Sequence, residues 1–551
     1  MARKCYLRPV LGALLRLVIV NLLGNVVRLA RNFPRLLRRR PRWVRLKLRE
    51  PLPARPARPG FLRRRIPSLA GLAELARELA DDARLEGVIL ELHHVSGGWA
   101  HARSLRDVVA RLAGKKKVVV HLSSPSLRDY YVACAAPTIF VDESGPLALH
   151  GLAAEARFFR RALEKAGARA ETEYRGAYKS MGEMLVRDDM SDAQREALDT
   201  VLDRIEAELC GAVATARGLT EERTRELLRG GPYLAAEAAR HGLVDGVKYA
   251  DEVGPEKPEA ATVQVWRGAR WLPLVWRPLF GRQRRVAVIP LHGAIVAGEG
   301  TGGRSVGSAA ATRSLGAVRE DPRIGAAVLH IDSRGGGAAA SDLIWREVTR
   351  LAAKKPVVAY MHDVAASGGY YIACAATRIV AQPTTLTGSI GVVAGKVSFG
   401  ELLRRAGITS VELTRGVAAS MSSVARGYND EERRRLAAEV DAMYHQFVAK
   451  VAAGRKLEVG EAELHARGRV WMGVDAHERK LVDTLGDVED AIVLAESLSG
   501  AKGAVEVPVT PRRRTLLAHL MAAAPALDLV DEVAALASDR PMFLAPSVKI
   551  T

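Results

Sequence analysis

The heptapeptide YYVACAA at residues 130–136 returns as YYIACAA at 370–376, six of seven residues identical at an offset of 240. The same offset pairs Gly151 with Gly391, Phe159 with Phe399, Ala166-Gly167 with Ala406-Gly407, Arg175-Gly176 with Arg415-Gly416, and Ser180-Met181 with Ser420-Met421. Upstream, an offset of 239 matches GVILELHHVSGG (87–98) to AAVLHIDSRGGG (326–337) and AGKKKVVV (113–120) to AAKKPVVA (352–359). A segment that occurs twice builds the same core twice, so the chain carries a tandem duplication of one unit of about 200 residues.

Each copy reads as an α/β layer structure. An apolar run (Val88 to Leu92; Ala327 to Ile331) meets a Gly-rich turn, then a helical pattern, then a β-branched run, then small residues that open another helix. Later in each copy a capping pattern, Ser191 with Gln194 and Asn429 with Glu432, starts a long polar-faced helix. The expected organisation is a basic segment over 1–66, a first domain over 67–250, a linker over 251–285, a second domain over 286–500 and an extension over 501–551. The linker carries Pro255, Glu256 and Pro258, then WRGARWLPLVW with three of the seven tryptophans. At 48% hydrophobic and 26% charged residues, the chain is neither disordered throughout, collagen-like nor a polytopic membrane bundle.

The net charge of +20 has one address. Residues 1–66 hold 19 Lys and Arg against the single acid Glu50, which leaves the rest of the chain close to neutral at +2. Beside the apolar run PVLGALLRLVIVNLLGNVV (9–27), such a segment points to an anionic membrane surface rather than to nucleic acid. The run is near spanning length but contains Arg16, Asn21 and Asn25, so a span and an interfacial amphipathic helix both stay open. No small-x-small cleavage site follows, and the expectation is a retained anchor. The arginines after the run favour keeping their side cytoplasmic. Cys5, Cys134, Cys210 and Cys374 show no metal-ligand spacing, and nothing else calls for a metal or cofactor.

The chemistry gathers in the second copy. In HDVAASGGYYIACAA (362–376), Ser367 falls where a strand gives way to a helix, between alanines and glycines that let a substrate backbone approach. The turn DSRGGGAAASD (332–342) offers further backbone N–H groups for an oxyanion hole, whereas an isolated Ser-Gly-Gly would be only a helix cap. A serine needs a base, and no triad is evident: His362 lies on the preceding strand with Asp363 beside it. Comparison of the copies supplies another candidate. Lys179 in YRGAYKSMGEMLVRDDMS (174–191) aligns with Ala419, while Ser367 aligns with Leu127. One copy keeps a lysine without the serine and the other a serine without the lysine, as a single composite Ser–Lys site would require.

The order GAYKSMGEMLVRDDMS, DSRGGGAAASD, AASGGYYIACAA, TLTGSIGVV (385–393) across a tandem duplication closely resembles the long, two-domain form of the signal peptide peptidase SppA family, over roughly residues 70–500. The resemblance implies an α/β fold in which a Clp protease/crotonase-like domain is duplicated. It implies Ser367 as nucleophile, Lys179 as general base, Ser389 as the residue that orients the lysine, and Gly335 and Gly368 as amide donors of the oxyanion hole. Arg334 stands where the family's turn has proline. The implied substrates are extended apolar peptides such as spent signal peptides. The implied setting is a homo-oligomer, tetrameric in the family, held at the inner membrane with its body periplasmic, although the basic flank keeps a cytoplasmic side open. Lys179 would have to be neutral to act, its pKa lowered by burial among groups such as Ala365, Ala366 and Met181. Two other readings are a crotonase-like acyl-CoA enzyme using the same Gly-rich turns, and a membrane scaffold with a vestigial site.

Overall fold

The runs Val88–Leu92 and Ala327–Ile331 are buried at every position, as strands are when helices cover both faces of a parallel sheet. In the computed structural model they form the cores of strands Gly87–His93 and Ile324–Ser333. The structure describes residues 22, 26, 42–49, 68–254, 260–263, 284–301, 305–510, 542–544 and 549–550. The chain divides into two units, Met1–Gly151 with Glu206–Gln283, and Leu152–Ile205 with Arg284–Thr551. The segment Leu152–Ile205, part of the first copy by sequence, thus belongs to the unit built from the second.

The first unit holds a six-stranded sheet in the order Gly246–Val247, Thr138–Val141, Lys117–Leu122, Gly87–His93, Trp43–Arg49, Ala260–Val263. Every neighbouring pair is parallel. The basic segment therefore contributes a strand. In WVRLKLR, Val44, Leu46 and Leu48 are buried, while Arg45 and Lys47 between them reach Glu91 at 2.7 and 2.9 Å. Alternation satisfies the core and the charges together. The run 9–27 lies outside the described residues apart from Leu22 and Val26. Among the described residues no helix is long and apolar enough to cross a membrane.

The second unit contains the larger sheet, in the order Val470–Met472, Leu386–Gly388, Val357–Ala366, Ile324–Ser333, Arg285–His292, Ala504–Glu506, with Arg378–Ala381 and Thr484–Leu485 branching from Val357–Ala366. A second sheet runs Ser305–Gly307, Ala294–Val296, Gly335–Gly337, Met542–Leu544, Val392–Ser398, Arg169–Arg175. Helices of the two copies correspond. Trp99–Ala113 and Ala338–Ala352 are both 15 residues long, and Asp192–Arg217 and Asp430–Arg455 are both 26. The capping pattern at Asn429 is a full box, in which its side chain accepts from Glu432 N and the Glu432 carboxylate accepts from Asn429 N. Ser191 Oγ accepts from Gln194 N in the same way.

The copies differ at strand Arg169–Arg175. Arg169–Arg175 pairs antiparallel with Val392–Ser398 over seven positions, whereas the aligned segment 409–415 is in no strand and leaves Val411 82% and Leu413 92% exposed.

Candidate active site

Strand Val357–Ala366 ends immediately before Ser367, and helix Gly368–Ala373 begins immediately after it. Ser367 makes the reversal itself, at φ +56°, a conformation that costs a non-glycine residue energy and is held only by its surroundings. Its N–H donates to Gly388 O at 2.8 Å, and its carbonyl accepts from Tyr371 N at 2.8 Å. Leu386–Gly388 runs parallel to Val364–Ala366, which brings Ser389 beside Ser367. Ser389 also takes a left-handed conformation, at φ +49°, and donates its N–H to Arg469 O at 2.7 Å.

Lys179 reaches this point from the end of strand Arg169–Arg175. The ladder to Val392–Ser398 ends at Arg175, the chain turns at Gly176 (φ +103°), and Lys179 N–H closes the turn on Gly176 O at 2.9 Å. The turn is packed against backbone. A Cβ on Gly468 would stand 2.6 Å from Lys179 N, and one on Gly391 would stand 2.8 Å from Arg175 O and 3.1 Å from Lys179 Cδ. Only glycine lets these segments approach so closely.

The side chains then meet. Lys179 Nζ donates to Ser367 Oγ at 2.7 Å, to Ser389 O at 2.9 Å and to Ser389 Oγ at 3.1 Å. All three residues are essentially inaccessible to solvent. Burial alone holds the Lys179 amine well below the ordinary lysine range, with no charged neighbour contributing. A serine hydroxyl bonded to an amine that sheds its proton this readily can be activated as a nucleophile without histidine.

Gly368 lies against the Gly-rich turn: a Cβ there would come within 2.6 Å of Ser341 Oγ, 3.1 Å of Gly335 Cα and 3.2 Å of Gly336 N. Gly335 adopts φ +104° and donates its N–H to Ser333 Oγ at 3.1 Å, while Ser333 Oγ donates to Gly293 O at 2.7 Å. Gly335 and Gly336 thus lie beside Gly368, the residue that follows Ser367. His362 is buried in the preceding strand, 3.4 Å from the Tyr360 hydroxyl through Nδ1 and ring to ring with His330, and burial lowers its pKa. Asp332, one residue before Ser333, is pushed up to about 7 by burial and by nearby Asp363.

Sequence reasoning missed Ser333, which pins the turn, and Gly468, which abuts the lysine. Ser333 had a signal in its place before the glycines. Gly468 had none, because it lies outside every repeated motif.

A sequence model of peptidase family S49 matches this chain twice, over residues 110–264 and 349–502. The chain is 34% identical to the chloroplastic serine protease SPPA of Arabidopsis thaliana over 442 residues, a match that covers 78% of this chain and 65% of that protein. It is 30% identical to protease 4 of Salmonella typhi over 453 residues, covering 79% and 72% of the two chains, and 27% identical to protease 4 of Haemophilus influenzae, covering 77% and 71%. The fold is α/β, and the chain belongs to peptidase family S49, in the long form that carries the family's domain twice.

Proposed function

We propose that the protein is a serine endopeptidase working through a Ser367–Lys179 dyad. The observation that carries this reading is the 2.7 Å contact between Lys179 Nζ and Ser367 Oγ at a fully buried amine. Lys179 takes the Ser367 proton as Oγ attacks a peptide carbonyl, then returns it to the leaving amine. The lysine next removes a proton from water, which hydrolyses the acyl-enzyme. Ser389, accepting through both its carbonyl and its hydroxyl, keeps the amine aimed at Ser367. The N–H of Gly368 stabilises the oxyanion together with the Gly-rich turn beside it, in which Gly335 N–H is itself bonded to Ser333 Oγ.

The substrates are extended apolar peptides, spent signal peptides among them, added along a strand edge. The protein works at a membrane through 1–66, as a homo-oligomer. The apolar side chains of Val411 and Leu413, 82% and 92% exposed, support a covered face in the assembly.

Labelling with a serine-directed phosphonate, followed by peptide mapping, tests the dyad. The expected adduct is on Ser367 and is lost in Lys179→Ala. An unlabelled Ser367 in folded protein, or labelling elsewhere, would sink the reading.

A further inference from the structure

One short segment, 467–469, braces both Lys179 and Ser389 through the main chain. Tyr178 N–H donates to Arg467 O at 2.9 Å, Gly468 N–H donates to Ile390 O at 2.8 Å, and Ser389 N–H donates to Arg469 O at 2.7 Å. The Arg469 side chain adds a second hold. Its guanidinium carbon lies 4.8 Å from the centre of the Tyr178 ring and 4.7 Å from that of Trp471. Nη1 donates to the Tyr178 hydroxyl at 3.3 Å and lies 2.8 Å from Glu196 Oε1, and the same hydroxyl donates to Glu196 Oε2 at 2.9 Å. A planar cation that stacks and pairs in this way fixes direction as well as distance. Tyr178 is one peptide bond from Lys179, whose Nζ meets Ser367 Oγ.

The two copies set this clamp apart from ordinary packing. The alignment of Lys179 with Ala419 puts Ala418 opposite Tyr178. The matching helices Asp192–Arg217 and Asp430–Arg455 put Arg434 opposite Glu196. The Tyr130 hydroxyl donates to Leu243 O, and its counterpart Tyr370 donates to Leu481 O. Counting back equally from those two leucines puts Gly231 opposite Arg469. Tyrosine, carboxylate and arginine therefore occur together once, beside the one lysine, as the dyad itself does.

We infer that Arg469 is a positioning residue of the peptidase, which through Tyr178 and Glu196 fixes the turn that delivers Lys179 to Ser367. This rests on the Ser367–Lys179 reading above. The Glu196 side chain is 53% exposed, so its ion pair adds little to stability. Rate is more sensitive, because a small displacement takes the amine out of hydrogen-bond reach of the serine. The hold on Ser389 uses the Arg469 carbonyl, which every substitution keeps, so side-chain variants address the clamp on Tyr178.

The test compares the full chain as wild type, Arg469→Gln, Glu196→Ala and the double variant. kcat and KM for a fluorogenic apolar peptide are read beside the rate of phosphonate uptake at Ser367 and a thermal melt. Arg469→Gln is expected to lower kcat and phosphonate uptake about tenfold, with KM and the melt close to wild type. Glu196→Ala should lose rate in the same way, and the double variant should be no slower than Arg469→Gln, because both changes open one clamp. Wild-type kcat in either single variant, or losses that multiply in the double, would overturn the positioning role while a labelled wild-type Ser367 leaves the dyad standing. A raised KM at unchanged kcat would make Arg469 a substrate contact and overturn it too. Should Arg469→Gln melt early, Glu196→Ala, on an exposed helix position, decides by the same criterion. Wild type that takes up no phosphonate at Ser367 would overturn the dyad, and the clamp with it.

Discussion

Lys179 Nζ lies 2.7 Å from Ser367 Oγ across 188 residues of sequence, and the pair shares one compact unit because Leu152–Ile205 leaves the copy that encodes it. Replacing either residue should therefore remove activity and spare the fold. Lys179→Ala is expected to lose at least the 10²–10⁴-fold that general-base assistance supplies, roughly, and Ser367→Ala to leave no measurable turnover. Peptide hydrolysis read beside a thermal melt checks both. Turnover within tenfold of wild type in either folded variant contradicts the dyad.

The buried amine also sets a pH dependence of two kinds. Activity should rise with pH through one ionisation, since only neutral Lys179 accepts the serine proton. Stability should follow with a defined sign. Between the depressed folded pKa and the ordinary value of 10.5, the folded state binds fewer protons at Lys179 than the unfolded chain, so this group's contribution becomes more favourable as pH rises. Asp332, raised from 3.8 to about 7, acts oppositely: its folded form holds the proton longer, and stability falls across that interval. Lys179→Met should melt above wild type near neutral pH, with the gap closing towards pH 10.5. A gap that is constant with pH would show that the lysine is charged in the fold.

Two glycines with similar backbone angles separate strain from contact. Gly468 has φ +77° and abuts the Lys179 backbone, whereas Gly407 has φ +73° with nothing within 4 Å of an added Cβ. Alanine at either position pays about 1 kcal/mol for the left-handed conformation. Only Gly468→Ala should also displace the lysine, lowering kcat more than tenfold, while Gly407→Ala keeps its rate. Equal rates in the two variants would show that the approach at Gly468 is not needed.

The basic segment makes a prediction about attachment. The full chain should fractionate with membranes and resist washing with high salt, because the apolar run 9–27 adds to the electrostatic attraction. Release by salt alone would leave the arginines as the whole of the attachment.

The repeat made the two α/β layers legible, since identical spacings impose identical strands and helices. The complementary residues at 127, 179, 367 and 419 pointed to a Ser–Lys site before any geometry was known. The strand Trp43–Arg49 was harder to see, because its arginines and lysine counted as surface charge; the partner Glu91 that absorbs two of them lies in another strand. The placement of Leu152–Ile205 was not visible locally, because strand pairing depends on an edge supplied from elsewhere, here Val392–Ser398. Gly468 shows the same limit: its role depends on what packs against it, and its own neighbours in sequence do not reveal it.

The ladder between Arg169–Arg175 and Val392–Ser398 also works as a depth gauge for the lysine. A one-residue slip would shift the strand by about 3.3 Å and turn its side chains to the opposite face, more than enough to withdraw the amine from hydrogen-bond reach of the serine. Deleting a residue in the turn between Arg175 and Lys179 shortens the same gauge. Reactivity at Ser367 should thus depend on register, and small changes in chain length there should matter more than changes in side-chain chemistry along the strand.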